Sequence, residues 1–250
     1  MSSTSSKWRL DTPMDEAVSQ DGIAAAAPSS SMARIFQPDG YEPKYPYPLL
    51  VYFHPHGGNE EDVLKFVPQL SRRNYVAVGI RGPQLLGVRE NGTLSCGWGQ
   101  DEFHSDMIHE HLFKAVESVR KSYHIHTERV FLLGLAEGAS AAYRAAFHLS
   151  DRIGGVVVLN GEMPRPVLGR PMFQANALRQ LPIFMAHGVA NAETPVQAAN
   201  RDYKLLYSAG ADVTFNKYNT NQKINDEMLR DVNRWMISQL DHANRFGKIG

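Results

Sequence analysis

Short apolar runs in this chain of 250 residues alternate with amphipathic stretches, and this alternation restricts the fold more than any other sequence feature. Five runs are almost continuously hydrophobic, and a sixth stretch joins them to complete the predicted strands: residues 48–54, 75–80, 129–134, 154–159, 182–187 and 212–218. Such continuity is what a strand needs when helices cover both of its faces. The sequence therefore predicts an α/β fold with a mostly parallel central sheet flanked by helices on both faces.

Three of the intervening stretches repeat apolar residues at spacings of three and four, which places one apolar stripe on each predicted helix. The stripes are Val63, Phe66, Val67 and Leu70, then Ile108, Leu112, Ala115, Val116, Val119 and Tyr123, and finally Ile224, Met228, Val232, Trp235, Met236 and Leu240. Asn59, Asp101 and Asn225 are the predicted N-caps. Pro68 predicts that the first helix kinks or starts late.

The charge balance produces no long-range field, because 26 Lys and Arg residues face 26 Asp and Glu residues. We therefore expect neither a nucleic-acid nor a membrane partner.

The single cysteine, Cys96, allows no internal disulfide, which fits a reducing compartment. Residues 1–31 are rich in Ser, Ala and Pro and lack an apolar signal core, so they predict a flexible N-terminal arm. Residues 32–250 are expected to form one domain of a cytoplasmic protein, and no motif predicts a cofactor or a metal.

One segment, residues 129–142, reads as a strand, a tight turn and a helix of small residues, which is the frame of a nucleophile elbow. Gly134 and Gly138 occupy its two glycine positions, where small residues prevent a clash as the strand meets the helix. The residue at the middle of the turn is Ala136, and Glu137 follows it. The N–H group of Glu137 is expected to begin the helix and to face a ligand.

Upstream, residues 49–58 form a predicted strand that runs into a turn rich in His and Gly. A turn of this kind is the usual place for the second donor of an oxyanion hole, and here that donor is the N–H group of His56. His54 precedes it. Pro55 departs from the usual glycine and contributes no N–H group, so the pocket is expected to be reshaped.

With both motifs in place, residues 35–240 resemble the phospholipase/carboxylesterase branch of the α/β-hydrolase superfamily. The resemblance implies that fold and the hydrolysis of carboxylic esters. It puts Ala136 where the family has its serine, and Asn191 where the family has its acid. It puts Gln222 where the family has its histidine. A methyl group, a neutral amide and a glutamine cannot supply the nucleophile, the carboxylate and the base.

The resemblance therefore implies a catalytically degenerate protein, a pseudoenzyme that binds a small ester-like or anionic ligand, or a protein partner, through the remnant cleft. His54, His56, Glu137 and Glu162 are the predicted ligand contacts. An alternative is an active carboxylic-ester hydrolase or thioesterase that uses a non-standard site. A third interpretation is a structural role, with a homodimer formed through an edge strand or the last helix.

The spacing of the histidines is compatible with one alternative function, a metal site. His54 and His56 lie two apart at a strand end and can share a face, which is compatible with a metal site. The pattern lacks the Asp and the third His of a metallohydrolase, so loop histidines are favoured instead. Surface or capping roles are expected of four further histidines: His109, His111, His124 and His126.

Several other residues have competing interpretations. Ser140 is expected to pack among alanines, and a replacement triad of Ser140, Glu162 and Glu193 lacks a histidine on the last loop. Glu162 either lines the cleft or faces solvent. Cys96 is expected to be a structural thiol. Four apolar residues are expected to form either a cap over the pocket or part of the core: Leu85, Leu86, Val88 and Trp98.

Overall fold

A computed structural model describes residues 32–165, 178–179 and 181–246, with side chains as far as residue 240. The expected arm, residues 1–31, lies outside this part of the chain. The strands are β1 (Ala33–Phe36), β2 (Tyr47–Phe53), β3 (Val76–Ile80), β4 (Gln84–Val88), β5 (Leu94–Gly97), β6 (Ile125–Leu135), β7 (Gly155–Leu159), β8 (Pro182–Gly188) and β9 (Asp212–Tyr218). The α-helices are α1 (Val63–Leu70), α2 (Glu102–Ser122), α3 (Glu137–His148), α4 (Val196–Ser208) and α5 (Asp226–Phe246).

Within the described residues, seven strands form one sheet in the order β1-β3-β2-β6-β7-β8-β9. Every neighbouring pair is parallel except β1 and β3, which run antiparallel. In the middle of the sheet Val51 pairs with Val78 on one side and with Leu132 on the other. The predicted α/β fold with a mostly parallel sheet is confirmed.

Helices cover both faces of the sheet, and alternate residues of each strand pack against opposite layers. Leu49 and Val51 of β2 belong to the cluster formed with α2, α3 and α4. Leu50 and Tyr52 belong to the cluster formed with α1 and α5. All seven residues of β2 are buried, which explains why this strand is an unbroken apolar run in the sequence.

Three elements were not predicted from the sequence: β1, the β4–β5 hairpin and α4. Strand β1 lies at the sheet edge and is only partly buried, so it lacks the continuous apolar run of an inner strand. The hairpin leaves Leu85 and Val88 exposed by 65% and 67%, a pattern without a core-facing periodicity. Helix α4 buries only Ala198, Ala199 and Leu206, which is too sparse a stripe to recognise.

The structure resolves the open interpretation of Trp98 and corrects the expectation for His111. Trp98 is completely buried in the core, and its Nε1 donates to the carbonyl oxygen of His54, so it is not part of a cap. A surface or capping role was expected of His111, and the structure places its ring in the interior instead. Its ring is buried and its Nδ1 donates to the carbonyl oxygen of Arg81 over 2.8 Å, which ties α2 to the end of β3.

Helices α2 and α3 also meet through two histidine rings. The ring centroids of His109 on α2 and His148 at the end of α3 lie 4.5 Å apart. Burial, reinforced by the charge of His148, lowers the pKa of His109 to about 4. His109 is half-buried and therefore neutral near pH 7, which differs from the surface or capping role that the sequence predicted.

We expect the free energy of unfolding to fall as the pH is lowered from 6.5 to about 4, since unfolded His109 takes up a proton that the folded protein excludes. The full pKa difference corresponds to about 3 kcal/mol. His109→Leu removes this titration and should make the pH dependence shallower, while buried His54 still contributes to it. Urea denaturation across the window measures the effect, with the exposed His124→Gln as the control. An unchanged slope in His109→Leu would contradict the assignment.

Candidate active site

A strained turn joins β6 to α3 at Ala136. The φ and ψ angles of Ala136 are 52° and −117°, a conformation that alanine rarely adopts. Its N–H group donates to the carbonyl oxygen of Leu159 on β7 over 2.9 Å, which holds the turn against the sheet. The turn leaves no room for larger neighbours, because a Cβ atom on Gly138 would overlap the carbonyl oxygen of Phe53. The elbow backbone is thus retained around a residue that carries only a methyl group.

Ala136 lies at the wall of a cavity of about 300 Å³ at the carboxyl ends of the parallel strands. Parallel α/β sheets place their ligand sites at this edge. The predicted contacts His56, Glu137 and Glu162 all line the cavity, so the cleft interpretation of Glu162 is favoured over free exposure. Ser140 also lines it, one helical turn after the elbow, and is not simply packed among alanines as expected.

A side-chain hydrogen bond joins His56 and Glu137, which both line the cavity. The His56 Nδ1 atom lies 2.7 Å from Glu137 Oε2, with 65% of the His56 side chain and 25% of the Glu137 side chain exposed. The N–H group of His56 has no acceptor among the described residues. Glu137 is the first residue of α3, so its N–H group has no acceptor within the helix. Two backbone donors and a bonded His–carboxylate pair therefore come from the same two residues.

Arg144 is a cavity residue that the sequence analysis missed. Its Nη2 donates to the carbonyl oxygen of Gly99 over 2.9 Å, and its Nη1 donates to Ser105 Oγ over 3.1 Å. Its Nε is buried without a hydrogen-bond partner in the described part of the chain, and burial lowers the pKa of the guanidinium. The available signal was a single cation among the small residues of α3, two turns beyond Glu137.

His54 does not contact the cavity, contrary to the sequence prediction. Its ring is completely buried, Nδ1 donates to the carbonyl oxygen of Pro55 over 2.8 Å, and Nε2 accepts from the N–H group of Gly82 over 3.0 Å. Burial lowers the pKa of His54 and keeps the ring neutral. Because both ring nitrogens are occupied, His54 shapes the loop that carries His56 and has no atom left for a ligand or a metal ion.

Asn191 and Gln222 lie beyond the ends of β8 and β9, but neither side chain lines the cavity. Asn191 is buried, and its Oδ1 accepts from the N–H groups of Glu193 and Thr194 over 3.0 and 3.1 Å. Its side chain therefore closes a turn, and that turn presents Glu193 and Thr194 to the cavity. Gln222 is exposed, and its carbonyl oxygen accepts a hydrogen bond from Asn160.

Asn160, which follows β7, connects these loops and was not identified from the sequence. Its φ angle is 53°, a conformation that asparagine tolerates better than most residues. Its Oδ1 accepts from the N–H group of Gly188 over 2.8 Å, and its Nδ2 donates to the carbonyl oxygen of Gln222 over 3.0 Å. Gly161 packs directly against Ala136 and Ala139, where a Cβ atom would overlap both. One buried side chain thus ties the loops after β8 and β9 to the elbow.

Cys96 is buried, and burial raises the pKa of its thiol, as expected of a structural cysteine. In the described ranges, no three His, Cys, Asp or Glu residues are placed to hold a metal ion together. None of the helices described combines the length and the apolar composition needed to cross a membrane.

Replacing Asn160 should separate the effects of its side chain and its backbone. Asn160→Gly retains the backbone conformation and loses both hydrogen bonds, which should lower the free energy of unfolding by about 2 kcal/mol. Asn160→Ala also has to adopt the positive φ angle, which should cost about 1 kcal/mol more. Chemical denaturation measures both values. Equal stability of wild type and Asn160→Gly would show that the side chain does not hold the loops.

Comparisons with known proteins agree with this architecture. The sequence profile of the phospholipase/carboxylesterase family matches residues 47–239. The structure is similar to the Bacillus cereus carboxylesterase, with 23% identity, a TM-score of 0.64, and coverage of 84% of this chain and 96% of that one. It is also similar to Zea mays acyl-protein thioesterase 2, with 16% identity, a TM-score of 0.63, and coverage of 83% and 98%.

A third similar structure is Arabidopsis thaliana SOBER1, with 18% identity, a TM-score of 0.60, and coverage of 78% of this chain and 99% of that one. At such identities the structures carry the fold alone. The profile match spans most of the chain, from the start of β2 into α5. The protein therefore belongs to the phospholipase/carboxylesterase family of the α/β hydrolases.

Proposed function

We propose that this protein is a catalytically degenerate member of its family, which binds a small ester-like or anionic ligand in the elbow cavity and forms no acyl-enzyme. The observation that carries the proposal is the methyl group of Ala136 at the strained turn on the cavity wall. Covalent ester hydrolysis needs a hydroxyl or thiol nucleophile at this point, next to a base. Alanine offers no atom that can attack a carbonyl carbon.

The positions of Asn191 and Gln222 support the same interpretation. The Asn191 oxygen is occupied by two backbone N–H groups of its own turn, and as a neutral amide it could not stabilise a protonated histidine. Gln222 is exposed and cannot accept and return a proton near neutral pH. The acid and the base that the family places beside its serine are therefore missing together with the serine.

The binding half of the proposal rests on the donors around the cavity. The N–H groups of His56 and Glu137 and the N-terminus of α3 favour a carbonyl, carboxylate or phosphate oxygen. Arg144 adds a partly buried cation in the same wall. Because the similar solved structures include a carboxylesterase and an acyl-protein thioesterase, an acyl ester or the corresponding carboxylate is the favoured ligand class.

We also propose a location and an alternative partner from the sequence. A cytoplasmic location fits the single buried cysteine. A protein partner, or a homodimer through an edge strand or α5, is the less specific alternative to a small ligand. It would apply if the cavity bound neither an ester nor a carboxylate.

Restoring the hydroxyl alone should not restore the serine mechanism. Ala136→Ser is expected to hydrolyse p-nitrophenyl butyrate no faster than the unaltered protein, because neither Asn191 nor Gln222 can activate the new serine. Labelling with a serine-directed fluorophosphonate should also be absent. Ala136→Ser combined with Ser140→Ala serves as the control for the neighbouring hydroxyl. Turnover above the wild-type rate, or fluorophosphonate labelling of Ala136→Ser, would mean that another residue activates the new serine.

Filling the cavity should weaken binding. Ser140→Leu places a larger side chain on the cavity wall and is expected to lower the affinity for hexanoate at least about tenfold, a free-energy loss of about 1.4 kcal/mol. Isothermal titration calorimetry measures this affinity. Ser118→Leu, at an exposed position of α2, is the matched control and should bind like wild type. Equal binding by both variants would place the ligand elsewhere.

A further inference from the structure

Ligand binding alone leaves the bond between His56 and Glu137 unexplained. A carboxylate oxygen only accepts, so the His56 Nδ1 atom carries the proton in their 2.7 Å hydrogen bond. In the neutral ring, Nε2 then holds the free lone pair. That atom has no hydrogen-bond partner among the described residues. The pair thus presents an oriented base at the wall of the elbow cavity.

A carboxylate orients a histidine base here, as in a catalytic triad. The two residues, however, come from other parts of the fold than the family's triad residues. His56 follows β2 and Glu137 opens α3, whereas the family's histidine position, Gln222, follows β9. The loss of a base at Gln222 therefore does not leave the cavity without one. His56 and Glu137 also supply the two backbone N–H groups, and substitution of either side chain leaves those groups in place.

Surface stabilisation is a weak explanation for the pair. An exposed contact between a histidine and a carboxylate contributes little to the free energy of unfolding, and 65% of the His56 side chain is exposed. A base beside a cavity, in contrast, can accelerate a reaction by about 10²–10⁴-fold. The missing hydroxyl also matters, because the small Ala136 methyl leaves space on the wall where a serine side chain would otherwise stand.

We propose that His56 is a general base for the direct attack of water on an acyl ester or thioester bound in the elbow cavity, with Glu137 as its positioning residue. The proposal rests on the proposed function, because the same cavity must hold the ligand. The water oxygen bonds to the carbonyl carbon, and its proton passes to His56 Nε2. The N–H groups of His56 and Glu137 then face the negative oxygen of the tetrahedral intermediate.

The second half of the reaction returns the proton. The bond from the carbonyl carbon to the alcohol oxygen, or to the thiol sulfur, breaks as the imidazolium gives its proton to the leaving atom. The products are a carboxylic acid and an alcohol or thiol, and no acyl-enzyme forms. Because the protein supplies no nucleophile, turnover is slow compared with that of a complete triad, and it proceeds without the serine mechanism.

Steady-state hydrolysis of p-nitrophenyl butyrate by the full chain tests the base. Wild type should show slow, saturable turnover, and His56→Ala should lower kcat about 100-fold with KM changed less than about threefold. Added imidazole should restore part of the activity of His56→Ala. The exposed His124→Ala is the matched control for nonspecific catalysis by surface histidines and should behave like wild type.

Glu137→Gln tests the positioning role. It retains an oxygen acceptor but removes the negative charge that stabilises the imidazolium, so kcat should fall about tenfold while KM stays constant. The double variant His56→Ala with Glu137→Gln should be no slower than His56→Ala alone, since Glu137 acts through His56. A further loss in the double variant would show that Glu137 acts independently.

Calorimetry with hexanoate separates the two proposals. Hexanoate binding with no wild-type turnover, or with turnover that His56→Ala retains within about twofold, overturns the role of His56 and leaves the proposed function standing. Absence of binding together with turnover that is not saturable overturns the proposed function and the base together. Saturable turnover lost in His56→Ala, regained with imidazole and retained in His124→Ala supports the base.

Discussion

The tight crossing from β6 to α3 is the constraint on which the rest of the structure depends. Ala136 holds a positive φ angle there, and the chain around it is tightly packed, with Gly138 against β2 and Gly161 against the turn. The crossing positions the first N–H group of α3 and the wall of the cavity. None of these contacts involves a hydroxyl group, so the elbow can survive the absence of a serine.

Polar side chains around the elbow serve mainly to close loops. Asn160 joins the segments after β7, β8 and β9, and Asn191 closes the turn that carries Glu193 into the cavity wall. An amide at position 191 is buried with its oxygen fully used, whereas a buried carboxylate without a cationic partner would be costly. Neutral hydrogen bonds therefore hold the loops around the cavity.

His54 and His56 lie in the same turn but make different kinds of contact. His54 is buried with both ring nitrogens bonded, and it supports the backbone from which His56 projects. His56 reaches the cavity and meets Glu137. Both proposed activities use His56 and Glu137. Ligand binding uses their backbone N–H groups, and water activation uses their side chains.

By itself, the sequence determined the layered α/β fold, since continuous apolar runs such as β2 require cover on both faces, and it located the elbow at Ala136 through its glycines. It also placed Glu137 and Glu162 at the carboxyl edge of the sheet, where the cavity lies. Only the tertiary structure decided which polar atoms are free there. Burial and hydrogen bonding depend on residues far apart in the chain, as in the contact of His56 with Glu137, and no local pattern encodes them.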